Sequence, residues 1–192
     1  MELAQPADSS VRLSAQAEAR STPSSPSPLE VEVKLLFDEL RVPVLRYLMT
    51  LGLPPPDADE VVQDVFLALF QHLRRGKPRS NLPGWVFRVA HNQALKRRYA
   101  TRSGETVLAD AGDAAGYLDP GPSPEEQAVQ RQRQARLLAV VRALPEQDRC
   151  CLHLRAEGLR YREIAKVLGV SLGSVSLSLQ RSLARLARAD GY

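Results

Sequence analysis

An all-α fold in two small helical domains is predicted by three features of this sequence. Aromatic residues make up only 5% of the 192-residue chain, while alanine, leucine and arginine abound. That composition favours helix over sheet. Apolar residues recur at helical spacing in two blocks, 29–102 and 123–192. The stretches outside them, 1–28 and 103–122, are rich in small residues and proline and keep no sustained hydrophobic period. The first reads as a disordered tail and the second as a flexible linker.

The elements follow in order. "LEVEVKLLFDELRVPVLRYLMTLGL" places Leu36, Leu40, Val44 and Leu48 on one helix face, and Pro43 is expected to kink or split that helix. In "PPPDADEVVQDVFLALFQHLRR", Asp57 and Glu60 are spaced as a capping box. Val61, Val62, Val65, Phe66, Leu69 and Leu73 form its buried stripe. "NLPGWVFRVAHNQALKRRYATR" gives a third helix with Leu82, Trp85, Val86, Val89 and Ala90 at helical spacing. Ser123-Pro124-Glu125-Glu126 is a second capping box and starts a helix that runs towards Leu144. Pro145 restarts another, which ends at Gly158.

"LRYREIAKVLGVSLGSVSLSLQRSL" closes the second block. With Tyr161 as the first position, a small Ala165, a turn-forming Gly169 and an apolar Val175 fall where a helix-turn-helix needs them. Ile164, Leu168, Leu179 and Leu183 complete the apolar faces, and Ser171 caps the second helix. An ordinary helical hairpin is the alternative.

Charge is distributed unevenly, although the net value is only +4. From His72 to Arg102 there are nine basic residues and no acidic one, with Trp85, Phe87 and Tyr99 interleaved. Basic side chains neutralise phosphates, and rings stack on unpaired bases. Trp85 lies on the apolar stripe and reads as core. Upstream, Asp59, Glu60, Gln63 and Asp64 crowd a face that nucleic acid would avoid, which suits a protein partner or simply a helix N-terminus.

Several classes are excluded. No apolar run approaches the roughly 18 residues of a membrane span, and the N-terminus has no signal-peptide pattern. The two cysteines, Cys150 and Cys151, are adjacent, so there is no disulfide framework, and a reducing cytoplasm is expected. With His153 they do not make a metal site. Neighbouring helical residues diverge by about 100°, and a closed site lacks ligands. Core packing is the reading. Neither a phosphate loop nor a nucleophile elbow is present, so neither enzyme nor cofactor is expected.

Taken in order, these pieces resemble the extracytoplasmic-function (ECF) sigma factors of bacterial RNA polymerase. "DADEVVQDVFLALF" looks like the helix that docks on the polymerase clamp. "LPGWVFRVAHNQALKRR" is similar to the helix that opens and reads the minus-ten element. "LPEQDRCCLHLRAEGLRYREIAKVLGVSLGSV" is similar to the domain for the minus-thirty-five element. The resemblance implies that Asp59, Glu60, Gln63 and Asp64 contact core polymerase. It implies that the loop from Arg75 to Asn81, with Lys77, Arg79 and Asn92, holds a flipped base of promoter DNA. Arg88, Lys96, Arg97 and Arg98 would grip the backbone. Ser171, Ser174, Ser176, Ser178, Gln180 and Arg181 would face the upstream element. An anti-sigma factor is a common further partner in the family.

One departure stands out. Family members commonly end "GTVKSRLHRAR", and here the stretch is "GSVSLSLQRSLAR". Ser176 and Ser178 stand for the usual lysine and arginine, and Gln180 for the usual histidine. No charged residue lies between Lys166 and Arg181. A helix-turn-helix regulator that never meets polymerase, or a sigma-derived protein-interaction module, are the rival readings. The first leaves the acidic face of 59–64 without use.

Overall fold

The computed structural model describes residues 26–101 and 124–191. Most of the expected tail, the whole of 103–122 and the cap at Ser123 lie outside them. The described residues form seven α-helices and no strand: α1 (Pro28–Thr50), α2 (Pro55–Arg74), α3 (Leu82–Thr101), α4 (Pro124–Arg142), α5 (Glu146–Ala156), α6 (Tyr161–Leu168) and α7 (Leu172–Asp190).

α1 starts at Pro28, inside the span read as tail, because Ser27 and Glu30 form a reciprocal capping box. The Glu30 amide donates to Ser27 Oγ at 3.2 Å, and the Ser27 amide donates to Glu30 Oε2 at 2.7 Å. Two orphan amides are thereby satisfied. Pro43 does not split the helix, which is continuous to Thr50. It removes only the bond to the Glu39 carbonyl, and Glu39 is exposed to water. Leu40, Val44 and Leu48 are buried as the four-residue spacing requires.

The expected capping box of Asp57 and Glu60 does not form. α2 begins two residues earlier, at Pro55, after Pro54 and with no side-chain cap. Proline supplies helical φ at the first turn and has no amide to satisfy, so a capping acceptor is unnecessary. Glu60 is left to pair elsewhere.

α1, α2 and α3 pack mutually, α5, α6 and α7 form a second group, and α4 lies along α7. The groups also touch, α3 against α6 and α1 against α5. One buried cluster runs through both, from Leu40 and Tyr47 to Cys150, Leu154 and Ile164. Cys150 and Cys151 are buried free thiols of this core. Burial pushes the Cys150 thiol up to about 12, which keeps it protonated and unreactive. Among the described residues, no helix is long and apolar enough to cross a membrane.

Candidate nucleic-acid and protein interfaces

The helical period sorts α2 into two faces. Ala58, Val61, Val62, Val65, Phe66, Leu69 and Leu73 are buried. Glu60, Gln63 and Asp64 are exposed on the other side, with Asp59 at the margin. Leu67 is 57% exposed and lies seven residues after Glu60, on the same face. The outward face is therefore acidic with an apolar residue among the charges. Leucine in an amphipathic helix is ordinarily read as core. The signal that separates Leu67 is that it falls off the stripe of the other apolar residues.

Part of this acidity is already engaged. Glu60 Oε2 accepts from Arg97 Nη1 at 2.7 Å, and Asp57 lies 3.8 Å from the same nitrogen. The Arg97 guanidinium holds the Glu60 carboxyl below its ordinary range. Asp59 is 3.5 Å from Arg41.

α3 separates the residues that the sequence had grouped. Arg88, Asn92 and Lys96 are exposed at four-residue intervals, and Tyr99, 70% exposed, continues the same stripe. Arg97 and Arg98 point elsewhere, the first to α2 and the second to Glu146 of α5. Of the three interleaved aromatics, Phe87 is fully buried and is unavailable to a base. Trp85 is part-buried against the core, with its ring 4.7 Å from that of His72.

The loop before α3 is tied down at three points. His72 Nε2 donates to the Pro78 carbonyl at 3.0 Å. Arg79 Nη1 donates to Glu32 of α1 at 2.8 Å. Asn81 has φ +54°, and its Oδ1 accepts from the Gly84 amide at 3.1 Å, so its side-chain oxygen serves the start of α3. A Cβ at Gly84 would sit 2.4 Å from Asn81 Nδ2, so glycine keeps this turn closed. Arg75 and Lys77 are exposed beside it.

The second group has the expected helix-turn-helix geometry. Gly169 ends α6 at φ +68°, the left-handed conformation that favours glycine. Ser171 Oγ caps α7 by accepting from the Ser174 amide at 3.1 Å and bonds Ser174 Oγ at 2.8 Å. Val175 is fully buried and Ala165 packs against the core. Two expectations are corrected. Leu183 is 55% exposed and closes no apolar face. Ser178 is fully buried, accepts from Gln147 Nε2 at 3.2 Å, and offers its carbonyl to Ser182 Oγ. It stands one position inside the exposed pair Ser176 and Leu177, against α5, and so is withdrawn from the DNA-facing set. Ser176 and Gln180 are exposed, and Arg181 is half-exposed, held at 3.1 Å by the buried Asp148.

Known families match these two groups. Sigma-70 region 2 matches residues 36–103, and Sigma-70, region 4 matches residues 134–186. The RNA polymerase sigma factor CnrH of Cupriavidus metallidurans is 32% identical over 71% of this chain and 74% of its own. The chain belongs to the ECF sigma factors. It is a transcription initiation factor that binds core RNA polymerase and directs it to promoters. The ECF RNA polymerase sigma-E factor of Escherichia coli is 26% identical over 72% of this chain and 80% of its own. A solved sigma factor from Bartonella quintana, in complex with the anti-sigma factor NepR, shares the fold with a TM-score of 0.58. It is 21% identical, over 81% of this chain and 96% of that one.

In this sigma factor the two helical groups meet at a polar and apolar seam. Arg98 reaches across it with two nitrogens, 2.6 and 3.1 Å from the two oxygens of Glu146. That pairing holds the Glu146 carboxyl below its usual range. Tyr47 is buried beneath, its hydroxyl 2.8 Å from His91 Nδ1 and its ring 5.6 Å from that of His153. His153 Nδ1 lies 3.4 Å from Thr50 Oγ1, while its Nε2 is buried without a hydrogen-bond partner. Burial lowers the pKa of both imidazoles.

Proposed function

We propose that the sigma factor divides its tasks by helix face. The outward face of α2, with Glu60, Gln63, Asp64 and Leu67, and Asp59 at its margin, docks on core polymerase. Leu67 supplies apolar contact, and the carboxylates orient it and keep nucleic acid away. The stripe of Arg88, Asn92, Lys96 and Tyr99 on α3 binds the downstream promoter element and helps to melt it. Arg88 and Lys96 neutralise phosphates, and Tyr99 offers a ring on which an unpaired base stacks. The loop of Arg75, Lys77, Arg79 and Asn81 lies at the start of the same helix and takes the flipped base. Arg97 and Arg98 join the DNA only by leaving Glu60 and Glu146. α7 lies against the upstream element with Ser176, Gln180 and Arg181 towards the DNA, and Ser171 and Ser174 at its capped start. The protein performs no catalysis of its own and acts in the cytoplasm, where polymerase is.

The observation that carries this reading is the segregation of charge. An acidic face with an exposed leucine lies on one helix, and an acid-free basic stripe lies on the next. A plain DNA-binding regulator has no use for the first face. An anti-sigma factor is a further partner on this reading, in line with the Bartonella quintana protein of the same fold, which was solved with one. The experiment is a pull-down of core polymerase with Asp64→Arg and Leu67→Ala, alone and combined. Both residues are exposed, so the fold should change by no more than about 0.5 kcal/mol each. Loss of polymerase by a folded double variant supports the docking face, and undiminished binding refutes it.

A further inference from the structure

Burial along α7 defines what this helix presents outward. Val175, Ser178, Leu179 and Ser182 are turned in. Ser171 and Ser174 are spent on the cap. The first turns leave Leu172, Ser176, Leu177 and Gln180 to the outside, with Leu172 at 47% and Leu177 at 52% exposure. The face is uncharged, and cations stand around it. Arg160, Arg162 and Lys166 are exposed on or beside α6, and Arg181 and Arg185 follow further along α7. In a helix-turn-helix the first helix crosses the phosphate backbone, and the start of the second enters the groove. A neutral centre within a cationic rim suits a polyanion whose grooves are read at the centre and whose phosphates are held at the edge.

Gly173 adds a separate observation. It lies in the first turn of α7, one turn before Leu177 on the same face. A Cβ there would meet only Ser171 Oγ, at 3.9 Å. No other described atom lies within 4 Å of that position, so the space around it does not call for glycine. A slim surface beside Leu177 lets an external surface approach closely.

Resting on the promoter reading above, we propose that Leu177 and Gln180 are the base-specifying residues of the upstream contact, and that they read neighbouring thymine and adenine bases. A leucine offers no hydrogen bond, and the thymine methyl is the apolar group displayed in the major groove. Glutamine pairs in two-pronged fashion with adenine N6 and N7. The two side chains are three residues apart, neighbours on one helix surface about 5–6 Å apart. Successive bases rise about 3.4 Å, so the pair spans adjacent steps. With no cation on the face itself, phosphate contact falls to the rim.

The test uses holoenzyme assembled from the full chain and core polymerase. Selection from duplex DNA with a randomised upstream segment yields the preferred element. That element is then remade with each thymine in turn replaced by deoxyuridine, which lacks only the methyl. One replacement should weaken wild-type binding about fourfold, the worth of a single buried carbon group. The same replacement should leave Leu177→Ala unaffected. Gln180→Ala should lose about 5- to 150-fold of the preference for adenine at the adjacent position. If uracil is neutral at every thymine, the methyl contact is wrong. If Leu177→Ala reads DNA as wild type does but loses a protein partner, the face is a protein-binding surface and the proposal falls. A selection that enriches no upstream element would overturn the promoter reading itself, a result distinct from an enriched element that ignores both substitutions.

Discussion

Ser176 and Ser178 are two residues apart on α7 and meet opposite surroundings. Ser176 faces solvent, while Ser178 is enclosed against Gln147. Ser176→Lys should leave the urea midpoint almost unchanged, within about 0.5 kcal/mol, and steepen the salt dependence of DNA binding by about 0.9. Ser178→Arg should instead destabilise the protein by about 3 kcal/mol or more, because a guanidinium there is both oversized and unpaired. Urea unfolding of the two variants separates these outcomes, and equal stability would mean that Ser178 is not enclosed. The buried imidazoles give a second residue-scale expectation. His91 and His153 are held below the ordinary pKa by burial, so the folded state prefers them neutral. The unfolded chain takes up protons below about pH 6.5. Stability is therefore full above that value and falls as pH drops through it, by up to about 1.4 kcal/mol per unit for each histidine. Urea midpoints at pH 7.5 and 5.5 measure the drop, and His153→Gln should flatten it.

At the scale of the element, α3 shows how one helix serves three surroundings. Val86, Phe87, Ala90 and Ala94 are buried, Arg97 and Arg98 turn to acidic neighbours, and Arg88, Asn92, Lys96 and Tyr99 remain outside. Two aromatic residues with similar rings should then behave differently. Phe87→Ala should cost about 3–5 kcal/mol of stability. Tyr99→Ala should leave stability near wild type. It should weaken holoenzyme binding to single-stranded downstream DNA by about 1–3 kcal/mol, with little effect on duplex. Thermal melting and a fluorescence anisotropy titration test the pair. The amphipathic period of α3 was legible in the sequence, which placed Val86 and Ala90 inside. The destinations of Arg97 and Arg98 were not, because their partners lie 37 and 48 residues away.

At the scale of the whole molecule, the two helical groups share a continuous core and a two-pronged ion pair. Arg98 is 29% exposed and Glu146 44%, so the pair contributes only about 0.5–1 kcal/mol after screening by water. A seam held so lightly at its polar edge should respond to a single charge change. Glu146→Arg should break the pair, lower stability by about 0.5–1 kcal/mol in a thermal melt and free Arg98 for DNA. An unchanged melting temperature would mean that the contacts of α3 with α6 and α1 with α5 hold the seam unaided. High salt should act in the same direction as the variant, more weakly.

Local chemistry alone determined the described helices of this sigma factor, their buried stripes apart from Leu183, the glycine turn at Gly169 and the serine cap at Ser171. Each depends on residues within about one or two helical turns, where spacing and backbone preference decide the outcome. The order of the motifs was enough to place the chain in its family. The tertiary structure alone decided which polar residues remain available. Ser178 is enclosed because α5 covers it, Leu67 is exposed because no helix among the described residues covers it, and Glu60 is paired because α3 brings Arg97 beside it. Burial and ion pairing depend on what a neighbouring helix delivers across the fold, and that delivery is set by packing rather than by spacing along the chain.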